Sequence, residues 1–144
     1  MRTLMTVLWV FASIAYAEAA EENCLSKHTK FDLCEASRGF QAEVAPSLPM
    51  KLNANTTLER VAAIGPSVVM YAAWAQTYAE FQAKLEAAGV AKEVYIENLN
   101  TMTKTMICGQ EPTAAFVRLG GVMQYHYRTA DAVPVTMATV SECP

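Results

Sequence analysis

The chain has 144 residues, of which 53% are hydrophobic and 17% are charged, and its formal net charge at pH 7 is −3. This length suits one ordinary domain with a hydrophobic core of its own. The mildly acidic balance and the lack of basic clusters argue against nucleic acid and anionic membranes as partners, because Lys and Arg provide the affinity for both.

The chain begins with the pattern of a Sec-type signal peptide. A basic residue, Arg2, precedes an apolar run at residues 4–14, and residues 15–17, Ala-Tyr-Ala, form a small-x-small cleavage pattern. Because the run is too short to span a bilayer and no stop-transfer charges follow it, we expect residues 1–17 to be removed. The remaining chain, about 127 residues long, is then exported to the periplasm or secreted, with no stable membrane insertion.

Four cysteines follow the leader, at Cys24, Cys34, Cys108 and Cys143. An even number of cysteines in an oxidising compartment predicts two disulfides. Three pairings are possible, and the C-terminal hairpin predicted below favours Cys108 with Cys143, which leaves Cys24 and Cys34 to close a short loop. A redox-active pair is disfavoured because the chain has no Cys-x-x-Cys motif.

Residues 18–45 predict an N-terminal arm pinned by the first disulfide. Apolar residues at helical spacing indicate one or two helical turns between its two cysteines, and residues 40–44 alternate as in a short edge strand. Residues 46–49, Pro-Ser-Leu-Pro, predict an extended connector, because proline has no N–H to donate. We therefore expect a single α+β domain over residues 46–144.

Residues 57–75 have two interpretations. Gly65-Pro66 is a strong turn signal and the run from Val68 to Tyr71 favours strand, so the segment can be a hairpin. It can also be two helices, because Thr56-x-x-Glu59 is a capping-box pattern and an apolar stripe at helical spacing follows. That stripe comprises Tyr71, Trp74, Tyr78, Phe81 and Leu85. We favour the hairpin.

Three helices are predicted next. The first covers residues 77–88 and ends at Gly89, the second covers residues 91–108, and a short third covers residues 112–119. The second helix has an apolar stripe that we expect to pack in the core. The stripe comprises Tyr95, Leu99, Met102 and Met106.

The last predicted element is a hairpin with strands at residues 121–128 and 133–140. Alternation along the first strand separates an apolar face from a polar face. The apolar face holds Met123, Tyr125 and Tyr127, and the exposed polar face holds Gln124, His126 and Arg128. The expected fold is α+β, with a small antiparallel sheet of two hairpins flanking a two-helix middle and stapled by two disulfides.

No catalytic, metal or cofactor site is predicted. No residue completes a triad around His126, and the even cysteine count leaves no free thiol for a nucleophile. Cys24, His28 and Cys34 have ligand chemistry, but a disulfide competes for both thiols. Exported Met-rich proteins can bind Cu(I), yet the methionines of the second helix coincide with its apolar stripe, so core packing is favoured.

Four short segments near the carboxyl terminus together form a distinctive sequence pattern. They are Met106-Ile107-Cys108-Gly109, Phe116-Val117-Arg118-Leu119-Gly120-Gly121, Tyr125-His126-Tyr127 and Val140-Ser141-Glu142-Cys143. This stretch resembles a group of small uncharacterised periplasmic proteins of Gram-negative bacteria, in which a helix ends in cysteine, a Tyr-x-Tyr strand follows and a second strand leads to a final cysteine. The resemblance implies compartment and disulfide pairing, and no catalytic residues. The group's Asp-Gly turn is Asp131-Ala132 here, which predicts a longer loop.

The absence of catalytic groups favours a non-enzymatic exported domain that binds a protein or an envelope component, as an inhibitor, immunity protein or accessory factor. The candidate binding residues are Gln124, His126 and Arg128 on the polar strand face, and Trp74, because tryptophan is favoured at interfaces. The alternative is a small hydrolase or ligand-binding domain with a groove near His126, whose imidazole is versatile near neutral pH.

Overall fold

A computed structural model of the chain describes residues 24–144, so the predicted leader lies outside the described part. This part contains four α-helices, one 3-10 helix and five strands. In chain order they are α1 (Leu33–Val44), the 3-10 helix (Ala45–Ser47), β1 (Met50–Asn53), β2 (Thr56–Ile64), β3 (Ser67–Trp74), α2 (Tyr78–Ala88), α3 (Lys92–Cys108), α4 (Glu111–Arg118), β4 (Val122–Arg128) and β5 (Pro134–Val140). No described helix is both long enough and apolar enough to cross a membrane.

The five strands form one mixed sheet in the order β1-β2-β3-β4-β5. Neighbouring strands are antiparallel except β3 and β4, which run parallel with Met70 opposite Tyr125 and Tyr71 opposite His126. The prediction of an antiparallel sheet around a two-helix middle is therefore wrong in arrangement, although the α+β class is confirmed. Helices α2, α3 and α4 connect the end of β3 to the edge of the sheet at which β3 began. Strand β4 therefore runs parallel to β3.

All four helices lie on one face of this sheet. The core is formed by the alternate strand residues that point towards the helices, together with a few helix side chains. It includes Leu58, Val61, Val68, Met70, Ala72, Trp74, Phe81, Ile107, Val117, Met123, Tyr125, Tyr127, Val135, Ala138 and Val140. No helix of the described chain covers the other face, so the molecule has two layers.

The N-terminal region differs from its prediction. Residues 24–32 form turns with an isolated bridge between Leu25 and Asp32, not helical turns. The helix begins after Asp32, whose side chain caps it by accepting a hydrogen bond from the Glu35 N–H at 2.8 Å. Residues 40–44, predicted as a strand, belong to α1, because Phe40 and Val44 lie four residues apart on one helix face and pack against the core.

Helix α1 is tied to the β2–β3 hairpin by polar contacts. The buried Ser37 hydroxyl donates to the Gly65 carbonyl oxygen at 2.7 Å. The Ala63 N–H donates to the Gln41 side-chain oxygen at 3.0 Å. The predicted connector at residues 46–49 begins within the 3-10 helix, and edge strand β1, which was not predicted, follows it.

The hairpin interpretation of residues 57–75 is confirmed as β2 and β3, which turn at Gly65 with a φ of +56°. The predicted end of α2 at Gly89 is also confirmed, with a φ of +65°. Thr77 and Glu80 form a complete capping box at the start of α2. The C-terminal hairpin appears as β4 and β5, joined by the longer loop that the Asp131-Ala132 sequence predicts.

Both predicted disulfides are confirmed. Cys24 bonds to Cys34, and Cys108 bonds to Cys143, with Cα–Cα distances of 5.1 and 5.4 Å. The second disulfide joins the last turn of α3 to the segment after β5. It therefore fixes the longest helix against the edge of the sheet.

Replacing Cys108 and Cys143 by Ala is expected to destabilise the protein more than replacing Cys24 and Cys34. The loop-entropy relation assigns about 4 kcal/mol to a sequence separation of 35 residues and about 3 kcal/mol to a separation of 10. Urea denaturation of the two double variants measures both losses. A larger loss from the short loop would contradict this expectation.

Gly121→Ala is expected to lower the free energy of unfolding by about 1–3 kcal/mol, because an added Cβ would overlap the Phe116 ring. Gly39→Ala is the matched control, since a Cβ there meets no atom within 4 Å. Alanine within α1 should stabilise by up to about 1 kcal/mol. Thermal unfolding compares the two variants, and a loss at Gly39 as large as that at Gly121 would refute the steric explanation.

Candidate functional site

The largest described cavity is an open groove between the sheet and helices α2 and α3, with a volume of about 970 Å³. Strand β1 and the turn after it form one wall, the two helices form the other, and core strand residues form the floor. The groove exists because α2 buries one side chain, Phe81, and the long helix α3 buries only Thr103 and Ile107. The apolar surface of both helices is thus left partly uncovered.

An aromatic cluster closes the deep end of the groove. The Trp74 ring is central, with its centroid 5.2 Å from that of Phe81 and 6.0 Å from those of Tyr95 and Tyr127. Trp74 is only 7% exposed. Tilted and edge-on ring pairs of this kind favour a rigid arrangement, so this end of the groove is preformed.

The methionines of α3 line the open part of the groove. Met102 is 67% exposed and Met106 is 41% exposed, and Leu52 and Val90 are also exposed there. The prediction that Met102 and Met106 pack in the core is therefore wrong. Helix α3 is rotated so that Thr103 faces the sheet, because its hydroxyl hydrogen-bonds the Tyr127 hydroxyl at 2.9 Å and the Cys108 disulfide holds the next turns.

Two stacked tyrosines form part of the groove floor. The rings of Tyr125 and Tyr127 lie 5.7 Å apart at an interplanar angle of 19°. Burial raises the pKa of Tyr125 to about 12, and the neighbouring Tyr127 adds to the shift. Burial also raises the pKa of Tyr127, and its hydrogen bond with Thr103 opposes that shift. Both phenols are therefore neutral at physiological pH.

The predicted polar strand face lies on the opposite side of the sheet. Gln124, His126 and Arg128 share that face, as the alternation predicts, but they are half-buried and not fully exposed. The His126 ring lies 5.0 Å from the Tyr71 ring, and Arg60 stacks over Tyr71 at 3.9 Å from its centroid.

The predicted binding residues do not form one site. Arg128 pairs with Glu59 on the open face, whereas Trp74 belongs to the groove on the helical side. The structure thus keeps Gln124, His126 and Arg128 together and separates Trp74 from them. A binding role for each of the four residues stays a prediction.

Sequence reasoning missed the groove as a site. Its outer wall depends on β1, which carries no strong strand signal, and on the rotation of α3, which depends on distant contacts. The one available signal was the pair Met102 and Met106, one helical turn apart, whose spacing suits a core and an exposed groove equally.

Within residues 24–144, no group of three or more His, Cys, Asp or Glu side chains is placed to hold a metal ion. All four cysteines are bonded. His126 contacts Tyr71, and the carboxylate of the nearby Glu59 is paired with Arg128. The described side chains therefore offer apolar and hydrogen-bonding contacts at the groove and no evident acid–base pair.

No protein-family model matches the chain, and no curated protein matches it in sequence. Its fold is similar to that of the type II secretion system pilotin EpsS from Vibrio vulnificus, with a TM-score of 0.61 and 10% identity over 86% of this chain and 93% of that one. The type II secretion system pilotin AspS from Vibrio cholerae gives 0.57 and 11%, over 86% and 94%. A Pseudomonas aeruginosa protein described as secreted gives 0.58 and 11%, over 74% and 87%.

These likenesses show a shared fold. At such identities the neighbours transfer no residue roles to this chain. The two disulfides are typical of an exported protein.

The protein is expected to lose stability as the pH rises from 10 towards 12. The pKa of Tyr125 is raised from 10 to about 12, so its contribution is fully present below pH 10 and is lost above it. Urea unfolding at several pH values in this range measures the slope of the free energy of unfolding against pH. Tyr125→Phe should flatten the slope, and an unchanged slope in that variant would contradict the assignment to Tyr125.

Proposed function

We propose that this protein is an exported, non-enzymatic adapter that binds an apolar segment of a partner protein in the groove between the sheet and helices α2 and α3. This proposal rests on the exposed apolar side chains of the groove walls, of which Met102 is the most exposed. A cleft lined mainly by apolar and aromatic side chains, with a few polar groups around it, is the usual form of a binding site. Covering it would contribute about 25 cal/mol for each Å² removed from water.

The groove has the anatomy of a protein interface. Its centre is apolar and aromatic, and its rim is polar, with Asn53, Gln76, Glu80 and Lys84 around the opening. The Lys84 ammonium donates to the Gln76 side-chain oxygen at 2.6 Å, and the Glu80 carboxylate accepts from the Thr77 N–H at 2.7 Å. A volume of about 970 Å³ with an open side suits several consecutive apolar side chains of a peptide segment.

The fold supports an accessory role in the cell envelope. Two of the similar structures are pilotins of type II secretion systems. We propose that this chain likewise serves a multiprotein envelope assembly, by holding one of its subunits through an apolar segment. The proposed location is the periplasm or the cell exterior after removal of residues 1–17, as the leader pattern predicts.

A photo-crosslinking residue at position 102 is expected to capture one partner through an apolar segment, whereas the same residue at position 137 is not. Met137 is the matched control because it is 50% exposed and lies on the opposite face of the sheet. Mass spectrometry of the crosslinked peptide identifies the segment, and a synthetic copy of it then serves as the ligand for the purified protein with both disulfides formed.

Met102→Glu is expected to weaken binding of that synthetic segment at least tenfold, because the charge would lie against apolar side chains. Met137→Glu should leave the affinity unchanged, and both variants should unfold at similar temperatures since both side chains are exposed. Equal weakening by the two variants, or an effect of Met137→Glu alone, would exclude the groove as the binding site.

A further inference from the structure

Tyr125 and Tyr127, the stacked tyrosines of the groove floor, differ in the hydrogen bonding of their hydroxyl groups. The Tyr127 hydroxyl is hydrogen-bonded to Thr103 at 2.9 Å. No residue in the described range 24–144 makes a hydrogen bond with the Tyr125 hydroxyl, although Tyr125 is only 6% exposed. Of the pair, the Tyr125 hydroxyl is the one that no described residue occupies, so it can hydrogen-bond a molecule from outside the chain.

The Tyr125 side chain lines the groove, and its hydroxyl is not fully enclosed. Among the described residues, the fully enclosed side-chain polar atom that lacks a partner is Asn100 Oδ1, so the Tyr125 hydroxyl is not sealed within the protein. Tyr125 lines the groove, where the surrounding side chains are mostly apolar. Where the groove is open to solvent, water can satisfy this hydroxyl, but an occupant would displace that water.

We infer that Tyr125 is a specificity-determining residue of the groove, which donates a hydrogen bond to an acceptor oxygen carried by the bound apolar segment. The acceptor is a side-chain amide, a hydroxyl or an exposed backbone carbonyl among otherwise apolar residues. This inference rests on the proposed function, because it assigns the chemistry of the same groove's occupant.

The preference for an occupant with an acceptor follows from the free-energy cost of covering the Tyr125 hydroxyl without a hydrogen-bond partner. A purely apolar occupant would cover the phenol and leave it unpaired, which lowers affinity by about tenfold relative to an occupant with a well-placed acceptor. Sites built to pair a polar group discriminate against ligands that lack it more strongly than purely apolar sites do. Burial also raises the pKa of Tyr125 to about 12, so the phenol keeps its proton and remains a donor.

Two uncharged fluorescent naphthalene probes, one with and one without an acceptor oxygen, test this inference. The first, 6-propionyl-2-dimethylaminonaphthalene, carries a ketone oxygen, and the second, N-phenyl-1-naphthylamine, has no oxygen. Both are titrated into the purified protein with its disulfides formed. Tyr125→Phe is expected to lower the affinity for the ketone about tenfold and to leave the affinity for the amine unchanged. Met102→Glu should weaken both probes, since both occupy the groove.

Tyr127→Phe is the matched control. It removes a phenol from the same stacked pair but should not change the preference for the ketone, because the Tyr127 hydroxyl is already paired with Thr103. It should lower the urea midpoint of unfolding by breaking that bond. Tyr125→Phe, which breaks no bond to a described residue, should leave the midpoint unchanged or raise it.

The outcomes separate the two proposals. If the amine binds and Tyr125→Phe weakens both probes equally, or neither, Tyr125 is a packing residue and this inference fails alone. If neither probe binds, or Met102→Glu leaves both affinities unchanged, the groove is not an apolar binding site and the proposed function fails as well.

Discussion

The parallel pairing of β3 with β4 is the interaction on which the rest of the structure depends. It joins the three antiparallel strands β1, β2 and β3 to the β4–β5 hairpin, which would be marginal alone, in one five-stranded sheet. It also requires a long connection, which here carries α2, α3 and α4 over one face. Ala72 is fully buried in β3 opposite Tyr127, so the small alanine leaves room for the large tyrosine ring beside it.

The one-sided arrangement of helices creates two different surfaces. On the helical side, α2 and α3 bury fewer side chains than helices of their length could bury. The space left between these helices and the sheet is the groove. On the bare side, polar and aromatic side chains pair with one another, as Arg60 does with Tyr71, and so need no covering helix. The apolar groove therefore lies beside the core, on the helical side of the sheet.

Local signals in the sequence predicted their elements well, whereas features set by distant contacts were missed. The strand residues of both hairpins and the glycine after α2 act within a few positions, so their patterns are readable. Phe40 and Val44 fit both a strand and a helix, and only packing on the core decides between them. The rotation of α3 is set by Tyr127 and Cys143, which are remote in sequence, so the exposure of Met102 could not be predicted.

The loop between β4 and β5 reaches back to the start of α2. The Asp131 carboxylate accepts a hydrogen bond from the Tyr78 N–H at 3.0 Å, and the Ala130 N–H donates to the Gln76 carbonyl oxygen at 2.9 Å. One wall of the groove is thus anchored by residues translated some fifty positions later. The start of α2, and with it one wall of the groove, is therefore held by contacts that exist only once the β4–β5 hairpin is in place.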